Sequence, residues 1–447
     1  MPTIAQELGS FLAGVTPKDL PREVLERTAL AVLDTIASAL PGALTPNAVA
    51  TRIAGTRLFG PGNYPAWFTG ETMQLSAAAL ANSTAAFCLD LDDGHRAAMG
   101  HTGSAVVPAV LTAAQGQNWT GPEILTAIAL GYDIAYRISA SRVPGLSHNR
   151  TSGHWSGYST AAAMGWLLGL TAEQHAHSLA ITGTEAPKNL DSSESSDKGM
   201  VKGSIPWSTI VGMMSVERAR AGFTGPIDMF NRTQTYRRDV MLDRLGSRWL
   251  VGESYMKPYA CCRYIHASMD AVIELMGQDC KTPIEDLTVE IFPTALTLPN
   301  HAEPSGLEDA QFSVPFCVAL AALRGASAFR PMAEAALHDP EVLALAKRVT
   351  VRATEDFKDS FPKSTPGRVF LRRGGVETSR TVLSPFGDYD NQMGKKDVEA
   401  KFADLARGVL IASQVRAIIE GVDGLVTGDA KPLLAALSEP ILKAAAA

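Results

Sequence analysis

What this chain lacks narrows it first. Its five cysteines, Cys88, Cys261, Cys262, Cys280 and Cys317, are an odd number without CxxC spacing. That argues against a disulfide framework or a zinc ribbon and for a reducing compartment. There is no long Lys/Arg run and the net charge is −6, so nucleic acid, whose binding depends on neutralising phosphates, is not an expected partner. The most apolar stretches, such as 160–170, fall short of the roughly 20 residues of a membrane span. The opening Met1-Pro2-Thr3-Ile4-Ala5-Gln6-Glu7 has neither the positive charge nor the apolar run of a signal peptide, and a cytoplasmic protein is expected. No GxxxxGK[ST] loop, no GxGxxG between a strand and a helix and no GxSxG elbow occurs, so no nucleotide, other cofactor or metal is expected. An anionic substrate then needs a local basic pocket.

What is present describes a large globular chain. Its 447 residues, 46% of them hydrophobic, exceed what one core usually supports, and two domains are expected. Helix starts recur at Thr16-Pro17-Lys18-Asp19, Thr120-Gly121-Pro122-Glu123 and Thr171-Ala172-Glu173-Gln174, the last two as capping boxes. Leu25, Ala29, Val32, Ile36 and Leu40 recur at steps of three or four, as on one helix face. Similar patterns over 76–89, 104–115, 122–138, 159–169 and 206–221 predict a helical first part. After Lys257-Pro258-Tyr259 the texture changes. Residues 287–292, 349–353 and 367–371 alternate as strands do, the last running on to Gly374-Gly375, with helical stretches near 312–324 and 330–347. From Lys395 helical spacing returns in Val398, Phe402, Leu405 and Val409. The predicted class is mainly α: a large helical domain formed by both chain ends, residues 1–266 and 393–447, with a smaller α+β lid domain, residues 267–392, inserted between them.

Three places combine ionisable groups with small residues. Asp90-Leu91-Asp92-Asp93-Gly94-His95, followed by Gly100-His101-Thr102-Gly103-Ser104, offers carboxylates and imidazoles for acid/base work. Asp and His also ligate metals, but this spacing matches no metal motif. His148-Asn149-Arg150-Thr151-Ser152-Gly153-His154 leads into an Ala-rich helix, and His154 near a helix start suits an anion, although a lone histidine is more often simply buried. Lys198-Gly199-Met200-Val201-Lys202-Gly203 places Lys202 among apolar residues and glycines, unlike a solvated lysine, and Lys257-Pro258-Tyr259-Ala260-Cys261-Cys262-Arg263-Tyr264-Ile265-His266 adds further cations. Neither cysteine of that pair is assigned a chemical role.

In these segments the chain resembles the MmgE/PrpD family, which includes 2-methylcitrate dehydratase, cis-aconitate decarboxylase and iminodisuccinate epimerase. The resemblance runs in order through Leu33-Asp34-Thr35-Ile36-Ala37, Leu89-Asp90-Leu91-Asp92-Asp93, Gly100-His101, Gly131-Tyr132-Asp133-Ile134-Ala135 and Gly153-His154. It resumes at Met200-Val201-Lys202, 257–266, Gln311-Phe312-Ser313 and Lys401-Phe402. It implies the domain plan above, a homodimer, and chemistry next to a carboxylate of a small anionic di- or tricarboxylate, as a dehydratase, a decarboxylase or, second in rank, an epimerase of an amino-dicarboxylate. A noncatalytic helical binding protein is the rival outside that class. Carried over by position, the active-site residues are Asp90, His101, His154, Lys202 and His266, with Arg263, Tyr264 and Lys257 as substrate-binding neighbours. His101 or His154 is expected to move the proton, Asp90 to orient the imidazole, and Lys202 with His266 to hold carboxylates. Gly94, where relatives often carry a hydroxyl, and Gly103, where a proline commonly follows the histidine, depart from the family pattern.

Overall fold

Capping chemistry sets the helix boundaries. A computed structural model of the protein describes residues 1–143, 151–188, 199–279 and 281–441; His148, Asn149, Arg150, Lys198 and Cys280 lie outside them. Both expected capping boxes form: Thr120 and Glu123 open Gly121–Ala140, and Thr171 and Gln174 open Ala172–Thr184. A third, Thr3 with Gln6, opens Ile4–Gly14, a helix the sequence reading passed over. Thr16-Pro17 starts only the 3-10 turn Pro17–Asp19, and the long helix begins beyond Pro21, at Arg22.

That helix, Arg22–Gly42, is no one-sided amphipath. Nearly every residue from Thr28 to Gly42 is buried, the state of a helix enclosed by others. Leu75–Phe87, Gly121–Ala140, Lys395–Ala406 and Ala412–Thr427 all pack against it. The last helices therefore return to this early one, with Lys431–Ser438 laid on Ala412–Thr427. Val409 lies beyond the first of these returning helices, which stops at Ala406. Among the described residues no single helix is long and apolar enough to cross a membrane.

The second texture resolves into one four-stranded sheet. Its order is Thr350–Ala353, Ile284–Ile291, Gly367–Arg373, Val376–Val382, with the first pair parallel and the others antiparallel. The last strand was not read from the sequence because nearly all of it is exposed and polar. Gly374 and Gly375, both at positive φ (55° and 77°), make the two-residue turn that joins it to its neighbour. His266–Met276 packs on these two strands. The helix expected over 330–347 is instead a 3-10 turn, Glu334–His338, and a short helix, Pro340–Ala346. Asp339 caps the second piece from the residue before its proline, a position that disfavours continued helix.

One buried group sets an acid limit on this packing. His175 is 1% exposed, neither ring nitrogen has a partner among the described residues, and burial lowers its pKa to about 4. The unfolded chain therefore binds a proton near pH 6.5 that the folded chain refuses, so stability falls as pH drops from about 6.5 toward 4, by at most about 3 kcal/mol. His175→Leu should flatten that slope in urea titrations at pH 7 and pH 4.5; an unchanged slope refutes the assignment.

Candidate active site

The helix Leu75–Phe87 ends against a turn that holds the central carboxylate. Asp90 takes a left-handed conformation (φ 55°), uncommon outside glycine and most frequent at functional turns. Lys202 Nζ reaches Asp90 Oδ1 at 3.2 Å, and Lys257 Nζ lies 3.1 Å from Oδ2 in an ion pair whose angle falls short of a hydrogen bond. Burial alone would raise the Asp90 pKa, but the two ammonium groups outweigh it and hold the carboxyl well below its usual range. Lys257 is completely buried. Burial works against its charge too, yet Asp90 and Asp92, the latter at 3.9 Å, raise its pKa above the ordinary lysine value.

Lys202 is anchored from both sides of the site. Its ammonium donates to the carbonyls of Phe87 (3.2 Å) and Cys88 (3.4 Å), to Asp90, and to Gln311 Oε1 (2.8 Å), while Gln311 Nε2 donates to Cys88 O. Gln311 lies just past the short helix Leu307–Ala310, so the sheet-bearing part of the chain supplies one wall. The sequence reading had it in a family segment but gave it no role.

His101 sits just before Gly103–Ala114. Its backbone N–H donates to Ser152 Oγ (3.0 Å), and its Nδ1 lies 2.6 Å from the carbonyl oxygen of Asp93. A carbonyl only accepts, so Nδ1 carries the proton and Nε2 has the lone pair; among the described residues nothing hydrogen-bonds Nε2. Burial, set against the nearby Asp92, keeps the His101 pKa below its usual value. The expected partner of the imidazole, Asp90, is instead given over to the lysines. Asp93 O and Asp92 Oδ2, which is 3.6 Å away and accepts from Ser104 Oγ, do the orienting. Behind them Asp93 is itself buried, and burial followed by the charge of Asp34 pushes its carboxyl pKa well up.

His266 is fully buried with both nitrogens engaged, Nε2 on Cys261 O (3.1 Å) and Nδ1 on Arg263 Nη1 (3.1 Å). Burial and then the Arg263 charge drive its pKa well below 6.5. It is a neutral ring that fixes Arg263. The guanidinium also donates to the carbonyls of Phe386 and Pro385 and lies 3.7 Å from Asp388, which Arg96 grips as well. Burial lowers the Arg263 pKa to about 10, so it remains a cation at neutral pH. Lys202, Lys257, Arg263 and Arg96 thus meet Asp90, Asp92 and Asp388, one positive charge in excess.

Two expected residues stand differently. The turn Ser152–His154 is tied to the lysine segment by Gly153 N–H on Gly203 O (2.7 Å). The groups acting on the His154 imidazole, however, are Arg142, Pro187 and Lys188, and burial and then Arg142 lower its pKa. Tyr264 places its ring 5.2 Å from both Phe292 and Phe361. Arg96, Asp388 and Tyr255 were not read from the sequence. Among the described residues no group of three or more His, Cys, Asp or Glu side chains is arranged to hold a metal ion.

These observations define a class: a mainly helical protein whose buried aspartate is clamped by two lysines beside a histidine with an open nitrogen. The chain belongs to the MmgE/PrpD family. Residues 6–244 match the MmgE/PrpD N-terminal domain and residues 259–425 the MmgE/PrpD C-terminal domain. It is 26% identical to the cis-aconitate decarboxylase of Aspergillus terreus over 477 aligned positions, covering 98% of this chain and 96% of that one. It is 23% identical to the cis-aconitate decarboxylase-like protein oryM of Aspergillus oryzae, over 97% of each chain.

Proposed function

We propose that the protein is a lyase, a dehydratase or decarboxylase, acting next to a carboxylate of a small polycarboxylic acid such as 2-methylcitrate or cis-aconitate. The observation that carries this reading is the juxtaposition of His101 Nε2, free to take a proton, with Lys202 and Lys257 on either side of Asp90. Breaking a bond beside a carboxylate builds negative charge on carbon or on an enolate oxygen, and fixed cations stabilise that charge where water is excluded. In decarboxylation the C–C bond breaks, its electron pair stays on carbon, and protonated His101 delivers the proton that ends the reaction. In dehydration the neutral ring takes the proton from the carbon beside the carboxylate and passes it to the departing β-hydroxyl, which leaves as water. Asp90 then serves the lysines, holding them charged, while His266 acts through Arg263, which with Lys202 binds the acid.

In this reading residues 1–266 and 393–447 form one helical domain and residues 267–392 an inserted lid, with the site at their junction. Supporting it, the four-stranded sheet lies wholly within 284–382 and the helices after Lys395 pack back onto Arg22–Gly42.

Turnover in deuterium oxide tests the chemistry. Decarboxylation should leave deuterium on the carbon that lost CO2, and reversible dehydration should label recovered substrate. Label at an inverted centre would identify the epimerase alternative. Hydride transfer, phosphoryl transfer or acyl hydrolysis of the true substrate would overturn the reading.

A further inference from the structure

Tyr255 lies at 245–258, between the two stretches matched to the family, and the sequence reading gave it no role. It pairs with Gly94, each backbone N–H donating to the other's carbonyl at 3.0 and 2.8 Å. Its ring folds back across that partner. A side chain at position 94 would strike the Tyr255 hydroxyl and come within 2.5 Å of its Cζ and 2.9 Å of Gly100 O. Gly94 follows Asp93, whose carbonyl fixes His101, and Tyr255 stands two residues before Lys257, so in extended chain the two side chains leave on the same side. The edge of the ring meets His101, centroids 6.3 Å apart, and the guanidinium carbons of Arg263 and Arg96 lie 5.2 and 5.4 Å from its centre.

Tyr255 is 5% exposed, yet among the described residues no group hydrogen-bonds its oxygen. A phenol on a buried side chain, without a partner among the described residues, is a donor available to a ligand. Burial raises its pKa well above the usual phenol value, Arg96 and Arg263 pulling the other way, so the oxygen keeps its proton and donates. With two guanidinium groups at its ring, the acceptor that fits is anionic.

We infer that Tyr255 is a substrate-binding residue whose hydroxyl donates to a carboxylate oxygen of the acid, and that position 94 is bare so that this hydroxyl can be seated beside His101. The inference rests on the lyase reading, and the test separates the two. Wild type, Tyr255→Phe, Gly94→Ala and Lys202→Ala are compared on cis-aconitate, 2-methylcitrate and iminodisuccinate, by KM, kcat, calorimetric affinity and thermal unfolding. Tyr255→Phe should raise KM and weaken binding about tenfold to a hundredfold, as for a lost hydrogen bond to a charged group. Its unfolding midpoint should not fall, because no protein contact is removed. Gly94→Ala should reproduce the KM effect by displacing the ring. Wild-type KM in Tyr255→Phe or in Gly94→Ala, or loss of stability together with activity in Tyr255→Phe, overturns the inference even where Lys202→Ala is inactive and the lyase reading stands. Wild-type protein that neither binds nor converts any of the three acids overturns both.

Discussion

Lys202→Ala and His101→Ala should each lower turnover at least about a hundredfold while the protein stays folded, the scale for losing charge stabilisation or acid/base chemistry. Lys202 makes contacts with protein oxygens, but its loss leaves Asp90 still paired with Lys257, so no carboxylate is orphaned and folding should survive. Lys202→Arg should not rescue activity, because a planar guanidinium cannot place its donors on the points one ammonium reaches. For His101 the sharper readout is pH. Its pKa is depressed first by burial, so for dehydration the acidic limb of kcat/KM, where the base becomes protonated, should fall below the ordinary 6.5, and for decarboxylation, which needs the protonated ring, the alkaline limb should fall below it. Near-wild-type rates in both variants would mean the site lies elsewhere. An acidic limb above 6.5 would remove His101 as the base.

The second large effect belongs to a buried pair behind the turn that carries Asp90. Lys401, on Lys395–Ala406, is buried against Asp34, on Arg22–Gly42, at 2.7 Å, and also donates to Leu91 O at 2.8 Å, inside the turn that carries Asp90. Lys401→Met should destabilise the fold by about 3–5 kcal/mol, the cost of leaving a buried charge without its partner. That is a large share of the roughly 5–15 kcal/mol a domain possesses. Burial already raises the Asp34 pKa, so in the variant this carboxyl would keep a proton that the unfolded chain releases. The loss should therefore grow as pH rises above about 4 toward the folded pKa. Urea titrations at pH 5 and pH 8 measure it, and Asp34→Asn in the same chain should recover part of the loss. For comparison, breaking the exposed pair Lys395–Asp423 should cost under about 1 kcal/mol. Equal effects for the two pairs would refute the argument.

How far the sequence could be read depends on distance along the chain. Capping boxes are local, and those at Thr120 and Thr171 fall where they were expected. The break at Asp339-Pro340 was equally local and was missed because the apolar spacing carried through it. Cys261 is buried and Cys262 half-buried, and burial raises the pKa of both thiols. The site itself is made of distant pairings, Lys202 with Asp90 and Gln311, Arg263 with Asp388, Gly94 with Tyr255. Nothing local encodes which carboxylate meets which cation. The resemblance drew attention to Asp90, His101, Lys202 and His266 but not to how their bonds are shared. Asp90 was expected to orient an imidazole; Lys202 and Lys257 hold it instead. Tyr255 gave no signal, since an aromatic between small and apolar residues reads as core. A glycine that departs from the family pattern at position 94 was the one available hint that something occupied its space.

The Asp34–Lys401 pair also sets a clock. The two residues are 367 positions apart, so during synthesis at about 5–20 residues per second the aspartate waits roughly 20 to 70 s for its lysine to be made. Until then the helix Arg22–Gly42, with an acid in its middle, has only the cover of Leu75–Phe87 and Gly121–Ala140, and the turn bearing Asp90 lacks the donor that steadies Leu91. The nascent chain is therefore at its most vulnerable late, when the helical layer and the sheet already exist but the closing helices do not. Chaperone demand during expression should fall on that interval.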